Sequence, residues 1–195
     1  MNGLSILVPA AGASSRMGGR DKLLEKVAGV PLLRRQVLRA RDTGAPVIVT
    51  LPPAHGQRSA VIADIGCTCI EVPDAGEGMA ASLRAGARVA DPDHALMVLL
   101  PDMPDITTDD IRTLALAHAT APQTVHRAVT AGGQAGHPVI LPARLRPAMA
   151  GLRGDEGAWP LLRSETVILV PLDGDRAVID LDTPGAWARW RARER

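Results

Sequence analysis

The residues best suited to chemistry fall in one short stretch, 7–24, which reads Leu-Val-Pro-Ala-Ala-Gly-Ala-Ser-Ser-Arg-Met-Gly-Gly-Arg-Asp-Lys-Leu-Leu. An apolar run, Leu4 to Val8, feeds a loop of small residues, and Arg16 and Lys22 emerge from it among Gly12, Gly18 and Gly19. Small residues let backbone N–H groups approach an anion closely, and two cations neutralise it. That combination suits a nucleoside triphosphate. The loop is not a P-loop, because Gly18 is followed by Gly-Arg-Asp-Lys, and it is not the dinucleotide fingerprint, because Gly12 is followed by Ala13 and Ser14.

A carboxylate with matching chemistry stands in Pro101-Asp102-Met103-Pro104-Asp105, directly after the apolar run Ala95–Leu100. Asp102 at the end of a central strand is placed to hold Mg²⁺ over a triphosphate, and the flanking prolines stiffen its loop. Asp105 reads as solvent-exposed or capping. Magnesium usually takes more than one protein carboxylate, so a second ligand is required elsewhere.

With Gly29-Val30-Pro31-Leu32-Leu33 behind it, the stretch 7–24 resembles the nucleotidyltransferase signature L-A-A-G-x-S-x-R-M-G-x-x-D-K-L-L followed by G-x-P-L-L. The closest likeness is to the molybdenum-cofactor cytidylyltransferases, in the group that includes the guanylyltransferases of the same cofactor. Pro9 departs from the pattern, which has Leu or Ala there; at a strand end its missing N–H is tolerated. The resemblance implies nucleotide contacts from Ala10, Ala11, Gly12, Arg16, Gly18 and Lys22, with Arg16, Lys22 and Asp102 catalytic. Asp102-Met103-Pro104 resembles the D-M-P element whose Asp binds the catalytic magnesium. Arg153-Gly154-Asp155-Glu156-Gly157-Ala158 resembles R-G-D-x-G-A and makes Asp155 the expected second ligand. Asp180 and Asp182 also resemble a family element and stand as the alternative second ligands to Asp155, although Asp182 is rather expected to cap the last helix, with Pro184 in its first turn. Gly136-His137-Pro138 matches G-H-P, and His137 either contacts the acceptor or orients a loop. In Asp74–Leu83, which resembles the G-M-x-x-S-L stretch, Ser82 lies near the nucleotide at a helix start.

Strand and helix patterns alternate to hold these segments. Leu4–Val8, Val47–Leu51, Cys67–Val72 and Ala95–Leu100 read as strands. Leu32–Asp42, Gln57–Asp64, Gly78–Val89 and Thr107–Ala119 read as helices, the last capped by Thr107 or Thr108. Thr124–Val129, Pro138–Leu141, Val167–Val170 and Ala177–Leu181 are further strands. Ala143–Ala150 and Gly157–Arg163 are short helices, and Pro184–Arg193 closes the chain. The expected fold is α/β: a Rossmann-like three-layer sandwich of the nucleotide-diphospho-sugar transferase type, mostly parallel with helices on both faces, as a single domain over 1–195. In such sheets ligands bind beyond the carboxyl ends of the strands. The segments after Val8, Val72 and Leu100 then share one cleft.

Composition narrows the partners. The 195 residues carry a net charge of +1 and no Phe or Tyr, which argues against a nucleic-acid platform or an anionic membrane surface. No stretch is long enough for a membrane span, and no basic region precedes the first apolar run, so the cytoplasm is the expected location. Cys67 and Cys69 lack companions for a zinc site and read as reduced, mostly buried thiols. His55, His94, His118 and His126 show no partner pattern. Trp187 and Trp190 share a helix face.

The reaction implied is transfer of CMP from CTP to a phosphorylated acceptor, with Mg²⁺ as cofactor and release of pyrophosphate. The acceptor implied by the resemblance is the molybdopterin-type molybdenum cofactor, with a molybdoenzyme as a further partner. CTP over GTP rests on Ala10-Ala11-Gly12 and Asp102-Met103-Pro104, since the guanylyltransferases carry a second glycine in the first element and a different pair after the Asp. The Ala11 methyl would also disfavour a purine. Two other readings stand beside this one: a sugar- or polyol-phosphate nucleotidyltransferase, and a non-catalytic carrier or insertion chaperone for the cofactor.

Overall fold

The computed structural model describes residues 3–54 and 56–193; Met1, Asn2, His55, Glu194 and Arg195 lie outside the described residues. Leu4–Pro9 (β1) is buried at every position, the mark of a strand covered on both faces. Its neighbours Val47–Leu51 (β4) and Ala95–Val98 (β6) are likewise buried throughout. Between β1 and β4 come a hairpin, Lys26–Val27 (β2) with Val30–Pro31 (β3), and the helix Leu32–Arg41 (α1). Gly56–Ala60 (α2) then leads to Thr68–Glu71 (β5), and Met79–Val89 (α3) leads to β6. The second half is Thr108–Thr120 (α4), Val125–Val129 (β7), Ala135–Leu141 (β8), Arg146–Met149 (α5), Trp159–Leu162 (α6), Val167–Pro171 (β9) and Pro184–Arg193 (α7).

Seven strands form one sheet in the order β5-β4-β1-β6-β8-β7-β9. Only β8 runs against its neighbours; the other contacts are parallel. The sheet is therefore mostly parallel, as expected. Alternation along the strands divides the core. Ile6, Val8, Val49 and Met97 face α1 and α4 through Leu33, Val37, Ile111 and Leu114. Leu7, Ile48, Leu96 and Val139 face α3, α5 and α6 through Leu83, Met149 and Leu162. These are the three layers of the α/β fold.

Thr107 caps α4 in a reciprocal box with Asp110, whose backbone N–H donates to Thr107 Oγ1 at 3.1 Å. Pro9 ends β1, where no further ladder bond is demanded of it. Three expectations are corrected. Ala177–Leu181 is turn and coil, because it is anchored at two separate points rather than along a ladder. Cys69 is exposed and Cys67 half-buried, because β5 is an edge strand. Asp105 neither caps a helix nor lies free: it accepts a 2.8 Å bond from Trp190 Nε1. Among the described residues no helix is long and apolar enough to cross a membrane.

Candidate active site

The carboxyl ends of β1, β4, β5 and β6 lie along one edge of the sheet, as their parallel register requires. The loop leaving β1 begins there. Ala10 N–H donates to Thr50 O at 3.0 Å, and the Ala11 methyl packs with Val72 and Ala81. Ser14 and Gly18 take left-handed backbone conformations on either side of a single 3-10 turn, Ser15–Met17. Met17 points inward, where Val27, Leu32, Leu181, Trp187 and Trp190 enclose it. Arg16, in the same turn, points outward. The Met of the signature is thus the loop's anchor, and the Arg is the side chain the turn presents outward.

The charges converge on Lys22. Its Nζ donates to Asp102 Oδ2 at 2.6 Å and also to Asp182 Oδ1, while Arg16 Nη2 donates to Asp182 Oδ2 at 2.6 Å. Burial opposes the charge on Lys22, but the attraction of Asp102 and Asp182 outweighs it, and its pKa is raised. Burial likewise opposes ionisation of Asp182, and the Lys22 and Arg16 contacts outweigh it to lower that pKa. Asp180, further from the cations, has its pKa raised by burial and by the Asp182 and Asp102 charges.

Asp182 reaches this cluster because Leu181 N–H donates to Asp102 O at 3.0 Å, zipping the approach to α7 against the Asp102 loop. Its expected capping role falls to Thr183, whose Oγ1 accepts from Ala186 N–H at 3.1 Å. The Asp102 loop is itself held by α1, from which Arg39 Nη1 donates to Pro104 O at 2.6 Å and Gln36 donates to Met103 O.

Asp155 sits with other partners. It accepts from Met79 N–H at 3.3 Å, and Gly154 O accepts from Ala80 N–H at 3.0 Å, so the Arg153-Gly154-Asp155 segment closes the start of α3. Gly78, at φ +115° just before that helix, has no room for a Cβ: one would lie 2.1 Å from Asp155 Oδ1. The carboxylate beside Asp102 at Lys22 is therefore Asp182, where Asp155 was expected. Asp155 and His137 instead share a cavity of about 220 Å³ with Arg127, Leu83, Leu162 and Trp159. Burial, then the nearby Arg127, pushes the His137 imidazole down to about 4. Ser82 is buried on α3 beside Ala81. Gly12 and Gly18 lie on the exposed side of the loop.

Two residues of the site were not found from sequence. Asp182 stood only as an alternative ligand, behind its expected role as a helix cap. Arg58, buried on α2, carries no motif signal, yet it binds the loop from beneath. Asp102 Oδ1 is a buried acceptor without a partner. An unpaired carboxylate oxygen next to a second carboxylate suits a divalent cation, with phosphate oxygens and water completing the shell. Among the described residues no group of three or more His, Cys, Asp or Glu side chains forms a metal site.

A phosphate loop, paired cations and two carboxylates at the switch edge of such a sheet define a nucleotidyltransferase. The chain belongs to the MobA-like NTP transferase domain family, which matches residues 6–168. A molybdenum cofactor guanylyltransferase from Pseudomonas paraeruginosa is 31% identical over 200 residues, covering 95% of this chain and 93% of the relative. Nicotine blue oxidoreductase from Paenarthrobacter nicotinovorans is 28% identical over 190 residues, with 89% of each covered. Among solved structures, Rv0371c from Mycobacterium tuberculosis H37Rv superposes with a TM-score of 0.84 at 28% identity, covering 95% of each chain. A second structure of that protein is a complex with manganese, with a TM-score of 0.79 at 26% identity over 95% of this chain and 96% of the other.

Proposed function

We propose that this protein transfers CMP from CTP to a phosphate of an acceptor, the molybdopterin-type molybdenum cofactor, with release of pyrophosphate. The observation that carries the reading is Lys22 held between Asp102 and Asp182, with Arg16 on the far side of Asp182. In the free protein these charges neutralise one another. An arriving triphosphate offers Arg16 and Lys22 a stronger anion and frees the carboxylates. The two cations then neutralise the β- and γ-phosphates and stabilise the departing pyrophosphate. An acceptor phosphate oxygen attacks the α-phosphorus, a new P–O bond forms, and the bond to the β-phosphate oxygen breaks. The protein's share is in-line positioning and charge neutralisation rather than a covalent intermediate.

Asp102 and Asp182 would hold Mg²⁺, and the relative crystallised with manganese supports a divalent cation. When bound, the metal supplies Lewis-acid stabilisation of phosphate charge. Asp155 is assigned to the cavity with His137 and Arg127, which is the acceptor pocket in this reading. CTP is favoured over GTP by the likeness of Ala10-Ala11-Gly12 and Asp102-Met103-Pro104 to the cytidylyltransferase elements and by the Ala11 methyl, which is packed with Val72 and Ala81; the alternative base has support from the Pseudomonas relative's name. The name of the Paenarthrobacter relative brings an oxidoreductase reading, but the loop after β1 presents phosphate-neutralising cations rather than the dinucleotide fingerprint. Residues 1–195 act as one domain in this reading, since α7 packs under the signature loop.

Calorimetric titration with CTP, GTP, ATP and UTP, each with Mg²⁺ and with EDTA, tests the proposal. The expected result is metal-dependent binding with CTP preferred. Preference for GTP would move the base assignment. Binding without pyrophosphate release in the presence of acceptor would favour a carrier, and absence of nucleotide binding by the folded protein would overturn the reading.

A further inference from the structure

Arg58 is 6% exposed, and all five of its guanidinium N–H donors are used within one loop. Nε donates to Asp21 Oδ2 at 2.6 Å and Nη2 to Asp21 Oδ1 at 2.9 Å, a bidentate pair. The second Nη2 proton reaches Ser14 Oγ at 3.3 Å. Nη1 donates to two carbonyls, Ala10 O at 2.5 Å and Gly12 O at 2.8 Å. Asp21 in turn accepts from Ser14 Oγ at 3.3 Å and from Leu23 N–H at 3.0 Å. One buried side chain thus joins both ends of the signature loop, just ahead of Lys22.

The two carbonyls carry the consequence. In a trans peptide unit the C=O of one residue and the N–H of the next point in opposite directions. With Ala10 O and Gly12 O turned toward Arg58, the N–H bonds of Ala11 and Ala13 are turned away from it. Among the described residues neither has a hydrogen-bond partner. Backbone N–H groups close together in a loop and aimed to one side can form an anion-binding concavity, and Ala11 and Ala13 stand either side of Gly12.

We propose that Arg58 is a positioning residue for the nucleotide: it turns the Ala11 and Ala13 amides toward the cleft, where they receive oxyanions of the nucleoside triphosphate or of pyrophosphate. The proposal rests on the nucleotidyltransferase reading. Lysine in its place would keep a positive charge near Asp21 but has three donors on one atom, and it cannot reach both carbonyls and the carboxylate together.

The test compares the wild type with Arg58→Lys, using pyrophosphate and CTP as probes. Alanine-labelled ¹⁵N spectra follow the Ala11 and Ala13 amides, and calorimetry gives the affinity. In the wild type both probes move those two amide signals. In Arg58→Lys we expect a lowered thermal midpoint with the fold retained, because the Ala10 and Gly12 carbonyls lose their donor, together with probe affinity weakened about tenfold, loss of the Ala11 and Ala13 shifts, and a raised KM for CTP with kcat nearly unchanged. Arg58→Lys binding pyrophosphate as the wild type does, with the same amide shifts, would overturn the proposal while leaving the transferase reading intact. A wild type that binds neither probe would overturn both. Should Arg58→Lys not fold, Asp21→Asn weakens the same brace from its other end; it is expected to weaken pyrophosphate binding, and unaltered binding would refute the proposal.

Discussion

Removing the Lys22 ammonium would leave Asp102 and Asp182 facing each other with only the exposed Arg16 to offset their charge, and would take one cation from the phosphates. Lys22→Met should therefore bind Mg²⁺-nucleotide at least tenfold more weakly in calorimetry, the scale of one lost charge-assisted contact; wild-type affinity would remove Lys22 from the phosphate site. A second residue-scale effect comes from the histidines. Burial and the neighbouring His126 push His118 down to about 4, and burial with Arg127 does the same to His137. Both folded pKa values lie below the ordinary value of 6.5, so the unfolded chain takes up protons first as pH falls. Their contribution to stability is complete above about 6.5 and disappears progressively toward about 4. Thermal midpoints measured from pH 7 to 4 should fall, and His118→Asn should fall less steeply. Parallel curves for the two proteins would contradict this. The depressed carboxylate of Asp182 adds a loss only below the ordinary carboxylate value of 3.8.

At the scale of elements, the irregular segment before α7 does more than the strand expected there. It is tied down twice, to β8 through His137 N–H to Ala177 O at 2.8 Å and to the Asp102 loop through Leu181 N–H to Asp102 O at 3.0 Å. The first contact requires Gly136, since a Cβ there would lie 1.8 Å from Ala177 O. Gly136→Ala should force the segment away, destabilise the fold by about 1–3 kcal/mol, and reduce activity beyond that loss by withdrawing Asp182 from Lys22. Chemical denaturation and steady-state rates measure the two effects; an unchanged rate would mean that Asp182 is not held through this contact. Strands β1, β4 and β6 and helices α1, α3 and α4 were legible because the strands are predominantly apolar and the helices have regular faces. Arg16 and Lys22 were legible because they stand in the small-residue loop that follows β1, and Asp102 because it follows the apolar run 95–100. Asp182 and Arg58 were not. They lie 160 and 37 residues from their partners Lys22 and Asp21 respectively, and no local spacing records contacts made only when the sheet closes. The exposure of Cys69 was missed for the same reason, since edge position belongs to the sheet order and not to the strand.

At the scale of the molecule, one end of the sheet carries the charges and both layers hold them in place. The α1 layer supports the Asp102 loop through Gln36 and Arg39. The α3 layer closes the cavity shared by His137 and Asp155 through Leu83 and the Asp155 segment. Beneath the signature loop, Trp187 and Trp190 stack edge to face at 6.3 Å and enclose Met17. Trp190→Ala should cost about 3–5 kcal/mol in denaturant unfolding and raise KM for nucleotide, because Met17 loses its seat; a loss of stability with an unaltered KM would separate α7 from the loop's order. The most direct test of the central claim is pyrophosphate release from CTP, Mg²⁺ and molybdopterin acceptor by the wild type, Asp102→Asn and Asp182→Asn. Release by the wild type and a fall of about 100-fold or more in each variant, with both variants still folded, is the predicted result. Wild-type rates in both variants would contradict it.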